Sequence, residues 1–173
     1  LVRAIFQTRE FEERFLKIGL PYRIIGGTKF YERAEIKDCV AYLRCIYQPM
    51  DDLSFERIIN VPKRGIGKIS IKKINALSRE NDCSMFEAAK IFIDTHSSKS
   101  KQDLSILISK ILKWHQSKNK LNHIELVELI LEDSKYIEYL EQEEKNLKNP
   151  ENLNRIDNIK EFIVSLKDFN NLE

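Results

Sequence analysis

Residues 57–77 read RIINVPKRGIGKISIKKINAL, and this stretch joins two helical patterns through a turn that contains two glycines. Residues 52–59 before the turn and 70–80 after it show apolar residues at helical spacing. Pro62 and the glycines interrupt the helices, because proline lacks an amide donor and glycine permits tight backbone turns. The stretch therefore predicts two helices joined by a short connection. The residues expected to face inward from the second helix are Ile71, Ile74 and Leu77.

The turn Gly65-Ile66-Gly67 has residue types that suit a phosphate group. Glycines leave neighbouring N–H groups unobstructed, and the helix that follows adds its N-terminal amides and the positive end of its dipole. Ile66 is apolar and is expected to pack into the core and fix the loop. Lys68 and Lys72 are four residues apart and lie on one helical face beside the turn. Such a turn predicts contact with a nucleic-acid backbone, which carries no base sequence information.

The distribution of charge is uneven along the chain, although the net charge is only +2. Residues 62–74 hold five basic residues and no acid, whereas residues 132–144 hold six acids and one lysine. We therefore expect one end of the molecule to tolerate phosphate and another end to repel it. A simpler interpretation stays open, since Gly-x-Gly between helices is often a plain connector and a lysine-rich face is usually solvated.

The remainder of the chain predicts a mainly α, multi-helical domain from about residue 33 onward. A helix ends before Pro49, and Asp51 or Asp52 caps the short helix that follows. Ser84 and Glu87 form a capping-box pattern for the next helix. No apolar run approaches the roughly 20 residues needed to cross a bilayer. The later helices are expected at about 84–94, 103–116, 123–133, 136–146 and 150–169.

The N-terminal thirty residues show a different pattern, with a strand at 1–5, a helix at about 9–18 and a strand at 22–25. Thr8 can cap this helix and Gly19 can end it. Strand, helix and strand at this spacing predict a βαβ unit, and two strands alone do not form a stable sheet. The chain begins at Leu1 rather than Met. We therefore expect it to be part of a longer protein that supplies the other strands.

Signals for catalysis and metal binding are absent from the sequence. It contains no Gly-x-x-x-x-Gly-Lys-Ser/Thr loop to bind a nucleoside triphosphate, and no paired acids at a strand end for magnesium. His96, His115 and His123 are far from the cysteines along the chain, so a zinc site is not expected. Cys39, Cys45 and Cys83 form no CxxC pair and are expected to be reduced. The sequence predicts no catalytic residue, no metal site and no cofactor in this chain, which should not hydrolyse ATP by itself.

Eight short stretches carry a family resemblance by their order and spacing over residues 1–80. They are VR at 2–3, QTR at 7–9, PYRIIGG at 21–27, FYER at 30–33, EIKD at 35–38, AYLR at 41–44, DDL at 51–53 and RIINVPKRGIG at 57–67. Together they resemble the UvrD, PcrA and Rep family of superfamily 1 DNA helicases. The resemblance continues weakly from Arg155 to Phe169, where the family has a long final helix.

The resemblance implies a fragment of an ATP-driven DNA helicase that acts in repair or replication. Residues 1–32 resemble the end of the first segment of motor domain 2A, a RecA-like α/β domain. Residues 33–173 resemble the helical 2B insertion, whose helix-hairpin-helix-like Gly-Ile-Gly turn contacts duplex DNA ahead of the fork. The implied partners are double-stranded DNA at a single/double-strand junction, the rest of the helicase chain and a repair protein, in the cytoplasm and without a membrane. ATP and magnesium are implied for the parent protein.

The expected DNA-binding residues come from the turn, its flanks and one N-terminal arginine. Relatives usually carry Tyr-Arg-Ser/Thr-Asn where this chain has VRAI at 2–5, so only the arginine is retained there. Arg9 is expected to pair with Glu13, and Arg33 with Lys37 is expected to organise a hinge, although Arg33 could equally be solvated. The full set is Arg3, Asn60, Lys63, Arg64, Gly65, Ile66, Gly67, Lys68 and Lys72.

Two other functions remain open at this point. The acidic residues 132–144 suit a basic protein surface, so the chain could be a regulatory module that restrains the motor or receives a partner protein. A free-standing helix-hairpin-helix repair protein fits the turn but leaves the βαβ pattern unexplained.

Overall fold

The computed structural model describes residues 7–22, 24, 29–95, 101–146 and 154–168 of the chain. Over these residues the fold is helical, with short 3₁₀ turns at Phe30–Glu32 and Leu166–Asp168. The helices are α1 (Thr8–Lys17), α2 (Ala34–Tyr47), α3 (Asp52–Ile58), α4 (Lys68–Glu80), α5 (Met85–Thr95), α6 (Lys101–Ser117), α7 (His123–Ser134), α8 (Tyr136–Asn146) and α9 (Arg155–Ser165). The predicted mainly helical fold is confirmed, and the expected helices from residue 33 onward are present; among the described residues the last one is shorter than expected, Arg155–Ser165 instead of about 150–169.

Helix α2 lies at the centre, where it packs against α3, α6, α7 and α9. Its inner face places Tyr42 against Trp114 of α6 and Tyr136 of α8, with ring centroids 6.0 and 6.2 Å apart. All three aromatic side chains are fully buried. A second layer is formed by α4 and α5, and α5 also contacts α3 and α6. The core therefore connects the helices on both sides of the glycine turn to the C-terminal helices.

Side-chain caps explain where several helices begin. The Asp51 carboxylate accepts the Ser54 amide at 3.1 Å at the start of α3, as the sequence predicts, and this hydrogen bond lowers the pKa of Asp51. The expected capping box of α5 is present in part, since Ser84 Oγ accepts the Glu87 amide at 3.3 Å. A complete capping box that the sequence analysis missed lies at α7, where Asn122 and Glu125 bond to each other's amides.

The two cysteines of α2 are buried among apolar side chains, and Cys83 is partly buried. All three are free thiols, as expected. Burial raises the pKa of the Cys45 thiol to about 12 and that of Cys39 further, so both remain protonated and behave as small apolar residues. Among the helices of the described residues, none is long and apolar enough to cross a membrane.

Helix α1 turns its polar face inward and its apolar face outward. Arg9 is buried and bonds Glu161 of α9 at 2.7 Å and Glu13 at 2.9 Å, so the expected Arg9–Glu13 pair is confirmed. Glu12 is buried too and accepts the Phe30 amide at 2.9 Å. Phe11 and Leu16 of α1 are exposed, and so are Ile18 and Leu20, which follow the helix. The apolar spacing that predicted this helix therefore does not mark the face that packs on the helical domain.

Arg33 joins the N-terminal segment to the last helix. Its guanidinium donates to Asn158 Oδ1 at 2.7 Å and to Thr8 Oγ1 at 3.1 Å, and Asn158 in turn donates to Glu35 at 2.6 Å. Arg33 is buried, and this burial lowers the pKa of its guanidinium. The alternative of a solvated Arg33 is therefore wrong. Lys37 is exposed, and its expected share in a hinge remains a prediction.

The predicted strands at 1–5 and 22–25 fall largely outside the described residues, which contain no strand. The βαβ unit and the boundary between residues 32 and 33 therefore stay predictions. The helix between the strands is present as α1, and Gly19 follows it with φ +66°, a conformation that favours glycine. Thr8 lies within α1 rather than capping it, and its hydroxyl donates to Glu12 at 2.7 Å.

Two isoleucines of α4 give a matched test of this packing. Ile74 is 0% exposed, whereas Ile69 on the same helix is 75% exposed. We expect Ile74→Ala to lower the free energy of unfolding by about 2–5 kcal/mol, because it leaves a cavity in the core. Ile69→Ala should change it by less than about 0.5 kcal/mol. Urea unfolding followed by circular dichroism measures both, and equal effects would contradict the assigned burial.

Candidate nucleic-acid interface

The connection between α3 and α4 is organised from inside by one asparagine. Asn60 Oδ1 accepts the backbone amides of Arg64 at 2.8 Å and of Ile66 at 3.2 Å, which closes the chain into a compact turn. Ile66 is 1% exposed and packs into the core, as the sequence predicts. The side-chain oxygen Oδ1 of Asn60 therefore bonds to the protein itself. The sequence predicts that the N–H groups of the turn are free to bind phosphate. This expectation is wrong for the amides of Arg64 and Ile66, because both are bonded to Asn60.

Arg64 faces inward rather than toward solvent. Its guanidinium donates to the Ile58 carbonyl at 2.8 Å, and longer contacts reach the carbonyls of Ile59 and Pro62. The last carbonyls of a helix have no partner within the helix, and Arg64 supplies donors for the end of α3. Arg64 is half-buried, and a cation held in this way stabilises the turn; its expected contact with DNA remains a prediction.

Tyr42 of α2 completes the inner side of the turn and was missed by the sequence analysis. Its hydroxyl donates to the Val61 carbonyl at 2.5 Å and accepts from Arg64 Nη2 at 2.8 Å. Burial raises the pKa of Tyr42, so the hydroxyl remains a donor. No local pattern indicates this role, because Tyr42 is nineteen residues before Val61 and has the spacing of an ordinary core residue.

The outer side of the turn consists of exposed backbone. Gly65 has φ +66°, a conformation that side chains rarely adopt, so a glycine is required there. Gly67 has φ −80° and ψ 174°, and a Cβ added to it would meet nothing within 4 Å. Gly67 is also the N-cap of α4, and within the described residues no side chain caps this helix. The first amides of α4 therefore face outward without a side-chain acceptor.

Exposed cations surround these amides. Lys68 and Lys72 lie at the start of α4, and both are exposed together with Lys73. Among the ion pairs of the described residues, none includes these three lysines. Lys63 is also exposed and approaches Glu143 of α8 at 3.4 Å. Ile69 is exposed beside the first amides, which the sequence analysis did not single out.

The structure thus divides the expected binding residues into an inner and an outer group. The inner group shapes the turn from within and consists of Asn60, Arg64 and Ile66. At the surface lie the backbone of the two glycines and the exposed side chains of three lysines. Arg3 lies outside the described residues. The outer group consists of Lys63, Gly65, Gly67, Lys68 and Lys72.

The described residues contain no group of three or more His, Cys, Asp or Glu placed to hold a metal ion. His115 and His123 each bond a backbone carbonyl, those of Ile46 and Leu166 respectively, at 2.7 and 2.6 Å. These two histidines therefore serve packing between helices, and His96 lies outside the described residues.

Comparison with known proteins gives a consistent result. The sequence model of the UvrD-like helicase C-terminal domain matches residues 1–173. A probable DNA helicase II homolog from Rickettsia felis is 44% identical over 99% of this chain. DNA helicase II from Rickettsia typhi is 43% identical over 99% of the chain, and the ATP-dependent DNA helicase PcrA of Bacillus subtilis is 43% identical over 98% of it.

The chain spans 26% of the length of each Rickettsia relative and 22% of that of the Bacillus relative. The match to the family model and the level of identity both extend over nearly all of the chain. The chain belongs to the UvrD-like helicase C-terminal domain family.

Proposed function

We propose that this chain is the 2B accessory region of a UvrD-like helicase and binds the backbone of duplex DNA through the start of α4. The single observation that carries the proposal is the uncapped N-terminus of α4, which stands beside exposed lysines that have no acidic partner among the described residues. Backbone amides and the helix dipole favour an anion at such a place. The helix-hairpin-helix likeness of the turn supports the same function.

The contacts proposed here differ from those expected from sequence. The binding groups are the outer amides from Gly67 onward together with Lys63, Lys68 and Lys72. Arg64 and Asn60 are positioning residues, because their polar atoms bond the turn itself. Arg3 is retained as a contact to DNA on the resemblance alone. Because phosphate groups are identical along DNA, binding should depend on salt and not on base sequence.

The wider activity follows from the relatives and is likewise a proposal. The Bacillus relative is named an ATP-dependent DNA helicase, and the Rickettsia relatives are named for DNA helicase II. We infer that the parent of this chain hydrolyses ATP with magnesium in motor domains, in the cytoplasm. Residues 1–32 would complete motor domain 2A, and the helical part would orient the duplex at a junction. The chain itself has no triphosphate-binding loop in its sequence.

A protein-interaction role is the second candidate, and one cleft favours it. A cavity of about 400 Å³ lies among α7, α8 and α9, with apolar walls and charged residues among its lining. Its apolar lining includes Leu131, Ile137, Ile156, Ile159 and Ile163, and its charged lining residues are Glu128, Glu132, Glu138, Lys135 and Lys160. If this candidate is right, the chain binds a repair protein, and reversing the charges of Glu128 and Glu132 should abolish that binding and leave duplex affinity unchanged. If DNA binding is the only role, the chain without these changes should bind no such partner.

Lys68 and Arg79 provide a test of the cation contacts, because both are exposed on α4. Lys68 stands beside the turn, and Arg79 is eleven residues further, about 16 Å along the helix. Lys68→Ala should weaken binding to a labelled duplex and reduce the slope of log affinity against log salt by about one. Arg79→Ala should change neither the affinity nor the salt slope by much, because the Debye length at physiological ionic strength is only about 8 Å. Equal losses in fluorescence anisotropy titrations would show that only net charge matters.

Gly67 provides a test of the backbone contact. Its φ of −80° and open surroundings accept a side chain, so Gly67→Val should fold, although the free energy of unfolding should fall by about 1 kcal/mol because valine is a poorer N-cap residue than glycine. The valine side chain should nevertheless block phosphate from the first amides of α4. A hydrogen bond to a charged group contributes about 1.5–3 kcal/mol, so affinity for duplex should fall at least about tenfold.

Lys72→Ala serves as the comparison for this variant, because it removes a charge and leaves the amides open. Its loss of affinity should be smaller than that of Gly67→Val. If the two variants lost affinity equally, the amide contact would be refuted.

A further inference from the structure

The basic turn and the acidic helix α8 are neighbours in the fold, although the sequence separates them by about seventy residues. Lys63 Nζ lies 3.4 Å from Glu143 Oε1. The expectation that the acidic residues 132–144 lie at a different end of the molecule is therefore wrong for Glu143. A cleft of about 340 Å³ separates the turn from α8. Its lining residues are Pro62, Lys63, Lys135, Glu138, Tyr139, Gln142 and Glu143.

The two partners of this ion pair are held very differently. Helix α8 is fixed to the core by Tyr136 and Leu140, which are both buried, and the Tyr136 hydroxyl donates to Asp38 at 2.6 Å. The backbone of Glu143 is therefore held beside the turn, and its side chain is 30% exposed. The Lys63 side chain is 75% exposed and crosses the open cleft on a flexible stem. Its ammonium can exchange a carboxylate for a phosphate without any movement of the fold.

We propose that Glu143 is an intramolecular counter-charge for Lys63, which a DNA phosphate must displace, so that this carboxylate sets the duplex affinity of the turn. The inference rests on the proposed duplex binding. An exposed ion pair contributes only about 0.2–1 kcal/mol. If a phosphate must break the pair in order to bind, the affinity for duplex DNA is lowered by a factor of about 1.4 to 5. Glu143 therefore adjusts affinity within this range and leaves folding nearly unchanged.

The test is a set of titrations of this chain with a labelled duplex oligonucleotide at low and moderate salt. Glu143→Gln should raise the affinity for duplex about two- to fivefold at low salt, because Lys63 then has no ion pair to break before it binds a phosphate. Glu141→Gln is the matched control, since Glu141 is exposed on α8 and the change in net charge is the same. Two residues along a helix turn a side chain by about 200°, so Glu141 faces away from Glu143.

A double-mutant cycle separates the pair from general electrostatics. In a Lys63→Ala background, Glu143→Gln should no longer raise affinity. Equal gains from the Glu143 and Glu141 variants, or a gain that persists without Lys63, would overturn the inference and leave duplex binding intact. If the unchanged chain binds no duplex at either salt concentration, the proposed function fails first and the inference fails with it.

Discussion

The position of the turn depends first on the hydrogen bonds that Arg64 makes beneath it, and its closure depends on Asn60. Arg64 joins the carbonyls at the end of α3 to the hydroxyl of Tyr42 on the central helix. Without it, the Ile58 carbonyl would lose this donor and the buried Tyr42 hydroxyl would keep only its bond to Val61, which costs more than one ordinary hydrogen bond contributes. Asn60 then folds the following amides over this contact. The outer surface of the turn is thus shaped by the internal hydrogen bonds of two half-buried side chains.

The same logic links the turn to the C-terminal half of the fold. Tyr42 stacks edge-on against Trp114 and Tyr136, and Tyr136 bonds the Asp38 carboxylate that also holds Arg57 of α3. Burial and the adjacent Asp38 raise the pKa of Tyr136, so its hydroxyl remains a donor. Helices α2, α3 and α8 are therefore fixed to one another beneath the surface. The relative placement of basic turn and acidic helix follows from this shared core.

Sequence reasoning predicts the elements well and the directions of side chains less well. Helical spacing and caps such as Asp51 identify the helices, and Ile66 is buried because it is the one apolar residue of the turn. The orientation of Arg64 is decided by Tyr42, twenty-two residues away, and the neighbour of Lys63 is eighty residues away. Periodicity also does not reveal which face of α1 is covered. Contacts between distant segments determine all three outcomes.

Helix α1 carries a consequence for how the chain behaves in solution. Phe11 and Leu16 of α1 and the following Ile18 and Leu20 expose apolar surface that water hydrates at a cost in free energy, while the ionic side of α1 is bonded to α9. A surface that covers these side chains releases that water, so they attract other apolar surfaces. Added salt strengthens this attraction, because kosmotropic anions increase the cost of hydrating apolar surface. Salt therefore acts in opposite directions on the two surfaces: it strengthens the apolar attraction here and screens the cations of the turn.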